Sequence, residues 1–147
     1  MRRMTFAAAA AAFSLSGAAL AHDFVCEKTI DGEVVHEVTA YPATVRFQIT
    51  VWNTHPVDAS TALAVHDGLL KSLGFDVSTA APFTLEVGKS IDFVADVVIR
   101  SRAQCLALAH AQSCSAVADD SFQITFDGGV AQCAARLVCG EDAAGRN

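Results

Sequence analysis

Polar and apolar residues alternate with period two along most of the chain. In "ATVRFQITVWN", Val45, Phe47, Ile49 and Val51 fall on one face and Thr44, Arg46, Gln48 and Thr50 on the other. In "SIDFVADVVIR", Ile91, Phe93, Ala95, Val97 and Ile99 alternate with Ser90, Asp92, Val94, Asp96 and Val98, and "SFQITF" gathers Phe122, Ile124 and Phe126 on one side. Successive side chains of an extended strand point to opposite faces, so each segment predicts a half-buried strand. Turn-forming residues separate the runs: Asp31-Gly32, Asn53 to Pro56, Asp67-Gly68, Val87-Gly88 and Asp127-Gly128-Gly129. Strands are expected near 24–30, 34–39, 44–52, 60–66, 73–78, 83–87, 90–100, 120–126 and 130–138. Short strands at this spacing predict an all-β, antiparallel sandwich. The exception is "RAQCLALAHAQSCSAVA", a cysteine-bearing insert whose alanines and leucines allow a helical turn or two.

The first 21 residues read differently. Arg2 and Arg3 precede the alanine-rich run "FAAAAAAFSLSGAAL", and Ala19-Leu20-Ala21 has the small-x-small form of a leader-peptidase site. This predicts a secretory signal peptide over 1–21 and a mature chain starting at His22. The run is too short and too alanine-rich for a membrane span of about 20 strongly apolar residues. Removing 21 residues from 147 leaves 126, residues 22–147, the size of one domain. Without the two leader arginines, eight basic and sixteen acidic side chains leave a net charge of −8. An acidic domain with no basic cluster argues against nucleic acid or anionic membranes as partners.

Several clusters invite a chemical reading. Ser60, His66 and Asp67 lie within "STALAVHD", yet adjacent residues of a strand face opposite ways, so Asp67 cannot orient His66 as a triad requires. No GxSxG elbow is present, and a secreted hydrolase ranks last among the function classes. Asn53 and Asp67 are expected as strand-end residues bonding nearby backbone. The N-terminal His22 offers an amine and an imidazole in one residue, which makes a periplasmic copper-binding protein the alternative reading. Such a site needs a second histidine, supplied by His36, His55, His66 or His110. Asp119, Asp120 and Asp127 lack the DxDxDG spacing of a calcium loop and are expected in solvated loops, with Asp127-Gly128-Gly129 a hairpin turn. Trp52 and Tyr41 are too isolated to define a sugar site.

Taken in order, "EKTIDGE", "YPATVRFQITVWNTHPVDASTALAVHDGLLKSLGF" and "FTLEVGKSIDFVADVVIRS" resemble the Ig-like conserved-repeat modules of bacterial secreted and surface proteins, family 11 of the domains of unknown function. The matching elements are Lys28 to Asp31, Val51 to Asn53, Val65 to Leu70 and Gly88 to Ser90, within residues 26 to 138. The proline usual after the Asp-Leu step is absent from "HDGLLKS", and the insert 103–118 replaces a shorter link. The resemblance implies an Ig-like sandwich, and a secreted or periplasmic, surface-associated, non-enzymatic module for structure, adhesion or interaction. Its partner would be a protein or surface polymer, with no catalytic residues and no cofactor.

All five cysteines, Cys26, Cys105, Cys114, Cys133 and Cys139, follow the leader, and in an oxidising compartment they read as disulfides. Five allow at most two internal bridges. Cys105 and Cys114 bracket the insert and are expected to close it. Cys133 and Cys139 lie six residues apart on one strand, roughly 20 Å when extended, and cannot meet without a turn. An Ig-like sandwich, with its first and last strands side by side, implies Cys26 with Cys133 and leaves Cys139 as the free or intermolecular thiol.

Overall fold

The computed structural model describes residues 23–111 and 115–141. Eight strands and two helices follow one another as β1 (Phe24–Ile30), β2 (Val35–Val38), β3 (Ala43–Asn53), β4 (Ser60–Asp67), α1 (Gly68–Ser72), β5 (Phe83–Leu85), β6 (Ser90–Ile99), α2 (Arg102–His110), β7 (Val117–Phe126) and β8 (Gly129–Cys139). The chain is all-β in class and forms two sheets, of three strands in the order β1-β3-β6 and of five in the order β2-β8-β7-β4-β5. Pairings are antiparallel except β2 with β8, which is parallel and corrects the all-antiparallel expectation. The parallel pair arises because β2 leaves the sheet of β1 and adds to the far side of the last strand. The Asp31-Gly32 turn at the end of β1 has both residues at positive φ, 50° and 83°, the combination of a tight type I′ turn.

The alternation seen in the sequence decides which residues enter the core. Val45, Phe47, Ile49 and Val51 of β3 are buried, as are Ala95, Val97 and Ile99 of β6. Phe122, Ile124 and Phe126 of β7 and Ala135 and Leu137 of β8 face them from the other sheet. Aromatic rings meet across the gap. Phe24 of β1 stands edge-on to Phe126 of β7 at 5.1 Å, and Phe93 of β6 lies 5.7 Å from Phe122. Offset and edge-on ring pairs of this kind add about 0.5–1.5 kcal/mol to the area they bury.

Three expectations are corrected. No strand forms over 73–78; the chain makes α1 and then a 3-10 turn, Val77–Ala80. Both have side-chain caps, with Asp67 Oδ1 accepting from the Leu70 N–H at 2.9 Å and Asp76 Oδ1 from the Ser78 N–H at 3.1 Å. Capping satisfies backbone donors that a strand would have had to pair, and it overrides the alternation of Leu73, Phe75 and Val77. The insert is more ordered than a turn or two: α2 runs nine residues, capped by Ser101. Asp119 lies not in a loop but within β7, which begins at Val117 and not at 120, and Asp120 is buried there and not solvated.

Two disulfides tie the fold. Cys26 of β1 is bridged to Cys133 of β8 across the two sheets, with Cα atoms 5.7 Å apart. Cys105 is bridged to Cys139 and not to Cys114, so Cys139 is not the free thiol. The reason is helical: Cys105 and Ala109, one turn apart, are the two buried residues of α2, and that face packs against β7 and β8. Cys139, at the buried end of β8, meets it there. Cys114 lies outside the described residues.

Candidate functional site: a lysine buried between two aspartates

β1 carries Phe24, Cys26, Lys28 and Ile30 on its inward face, so pleating alone turns Lys28 into the core. β7 carries Ala118, Asp120, Phe122, Ile124 and Phe126 inward, and Asp120 enters by the same rule. Asp67 needs an additional device. In β4, Ser60 and Ala62 face in, and unbroken alternation would send His66 in and Asp67 out. A bulge between Ala62 and Ala64 shifts the register by one, so Val65 and Asp67 are buried and His66 is exposed.

The three side chains converge between the sheets. Lys28 Nζ lies against Asp67 Oδ2 and Asp120 Oδ2, and none of the three side chains has solvent exposure. Asp67 faces Phe122 across the β4–β7 ladder, which places Asp120 one diagonal step away. Asp67 is doubly engaged: its Oδ2 accepts from the lysine and its Oδ1 caps α1. Asp120 is not. Beyond the ammonium facing Oδ2 and the neighbouring Asp67, its oxygens meet no hydrogen-bond partner among the described residues.

One buried ammonium between two ionised carboxylates would leave a net negative charge out of water, which costs several kcal/mol. The cluster relieves this at Asp120, whose acid is pushed up to about 7. Burial is the chief cause, the Asp67 charge adds to it, and the Lys28 ammonium opposes it. Near neutral pH Asp120 is therefore divided between its acid and its carboxylate, and the acid form lowers the negative charge buried in the cluster. A desolvated amine held against a neutral acid and a proton acceptor is equipped for proton transfer and for acyl chemistry.

Sequence reasoning had Lys28 only as part of a motif, and it took Asp120 for a solvated residue. The signal that finds both is a charged residue in phase with the apolar face of a strand, which needs a partner once buried. The other candidates are dispersed. Ser60 and Asp67 stand at opposite ends of β4, roughly 20 Å apart at about 3.3 Å per residue, and His66 points away from both. Asn53 does serve as a strand-end clasp: its Nδ2 donates to Leu85 O at 2.9 Å and to Asp58 O at 3.0 Å, and its Oδ1 accepts from the His55 N–H at 2.8 Å. Asp119 pairs with Arg136 at 2.7 Å on the outer surface.

The histidines also separate. His36 lies 3.1 Å from Glu33 and 3.3 Å from Asp31, and His110 ends α2, exposed. His55 comes nearest the start of the described chain, with Nε2 4.0 Å from Asp23. Its Nδ1 accepts the Asp58 N–H at 2.8 Å, so in the neutral ring Nε2 carries the proton and His55 offers no free lone pair. His22 lies outside the described residues, and no group of three or more potential ligands that could hold a metal forms among those described. No described helix is long and apolar enough to cross a membrane.

Comparison with protein-family models and with curated proteins finds no match to this chain.

Proposed function

We propose that the protein is a secreted or periplasmic, non-enzymatic Ig-like module that engages a protein or surface polymer through its loops and exposed sheet edges. The strand distribution carries this reading. β1, β3 and β6 share one sheet while β4, β7 and β8 share the other, which supports reading them as strands A, B and E against C, F and G of an Ig-like sandwich, with β2 and β5 added at the edges of the second sheet. Two disulfides suit an oxidising compartment. The resemblance of the Lys28–Asp31 and Gly88–Ser90 segments to bacterial conserved-repeat modules points the same way.

β6 supplies an interaction edge. It pairs with β3 along one side, and its other side faces no strand among the described residues. Val94 and Val98 are exposed along it. Backbone groups on such an edge are a template for an added strand. The test is retention of cell-envelope proteins and polymers on the immobilised mature chain. Saturable retention that weakens in Val94→Lys and survives His66→Ala supports the reading. Reproducible turnover of a small ester that is lost in Ser60→Ala would replace it with a hydrolase.

A further inference from the structure

We propose that Lys28 and Asp120 become joined after folding by an intramolecular amide bond from Lys28 Nζ to Asp120 Cγ, a covalent link between the two sheets that needs no oxidant. Three observations carry it, and none depends on the partner inferred above. The amine and both carboxyl groups are wholly withdrawn from water. The nitrogen faces an oxygen of each aspartate, so reactants that would meet rarely in solution are held together, which removes the entropic part of a bimolecular barrier. Asp120 is engaged only by Lys28 and Asp67 among the described residues, whereas Asp67 is also occupied as the cap of α1.

That difference assigns the roles. Asp67 takes a proton from the Lys28 ammonium, leaving a neutral amine with a free electron pair. The amine attacks Asp120 Cγ, whose protonated carboxyl is the better electrophile, and a tetrahedral centre forms. The C–OH bond then breaks as a proton from the attacking nitrogen, relayed through Asp67, converts the hydroxyl into water. Ammonium, carboxylate and acid become an amide, a neutral Asp67 acid and one water, so protons and charge balance and nothing is oxidised or reduced. The neutral Asp67 can then donate to the new amide carbonyl while Oδ1 keeps its bond from Leu70. Burial favours this product, because it replaces charged groups with uncharged ones.

The experiment is the intact mass of the folded, secreted chain, measured after denaturation and full reduction, with the Lys28→Met variant as reference. The proposal expects wild type to be lighter than its sequence by one water and Lys28→Met to have its full mass. Proteolysis should yield a branched peptide joining the Lys28 and Asp120 segments. Asp120→Asn should form the same amide with loss of ammonia, and Asp67→Asn should keep its full mass. Wild type at full sequence mass would overturn the proposal whatever the variants do. A branch through Asp67 would overturn the assignment of Asp120 as the acylated residue.

Discussion

Asp119 and Asp120 are neighbours in β7 with opposite lives. Asp119 faces solvent and meets Arg136, its cross-strand partner on β8, at 2.7 Å. Asp120 faces the gap between the sheets and meets Lys28 from the opposite sheet, with no exposure at all. One pairing lies within a sheet that backbone hydrogen bonds already hold; the other helps join two sheets that share no backbone ladder. Water screens the first pair, and its loss would be absorbed by hydration of both ions. Nothing replaces a partner in the second. The same two charges are ornament on one face of a strand and structure on the other.

Breaking the inner cluster should have the largest effect. Lys28→Ala leaves Asp67 and Asp120 buried without a cation and should destabilise the chain by about 3–5 kcal/mol, whereas Asp67→Ala keeps the Lys28–Asp120 pair and should cost about 1 kcal/mol for the lost cap of α1. Denaturant midpoints check this, and a Lys28→Ala loss no larger than that of a surface substitution would erase the contrast. The disulfides come next. The Cys105–Cys139 bridge spans 34 residues, and chain entropy puts its removal at roughly 4 kcal/mol, read as a lower midpoint in a Cys105→Ala, Cys139→Ala double variant. The outer pair follows, with Arg136→Ala costing no more than about 1 kcal/mol and less in high salt. Smallest of all, copper added to a chain correctly processed to begin at His22 should leave its melting temperature unchanged. A rise at stoichiometric copper would favour the N-terminal metal reading instead.

Much of the inner face was legible from alternation, because period two is imposed by the backbone itself. Val45 to Val51 and Ile91 to Ile99 fall where the pattern puts them. Asp67 could not be placed that way, since the bulge near Leu63 reverses the parity of everything after it and leaves no mark in the apolar pattern. The segment 73–78 failed for a related reason: Asp67 and Asp76 act through their side chains on local N–H groups, a stronger local signal than three alternating apolar residues. Lys28 was legible in principle, being in phase with Phe24, Cys26 and Ile30. Its partners were not, because pairing across sheets depends on topology, and they lie 39 and 92 positions away along the chain. Cys105 shows the same limit, its choice of Cys139 being made by the packing of α2.

The most direct measurement of the central contrast is unfolding free energy against pH for Lys28→Met beside Arg136→Met. Lys28→Met leaves Asp67 and Asp120 buried without a cation. The Asp120 acid already sits at about 7 in the fold against an ordinary 3.8, and losing the ammonium that opposes this shift drives it higher. A carboxyl raised in this way holds its proton more tightly folded than unfolded. Stability is therefore greatest at acid pH and falls as pH rises from about 4 through 7 and beyond. The account predicts a decline that extends well above pH 7 for Lys28→Met and a smaller one, confined to about pH 4 to 7, for Arg136→Met, whose cluster is intact. Parallel curves for the two variants would contradict it.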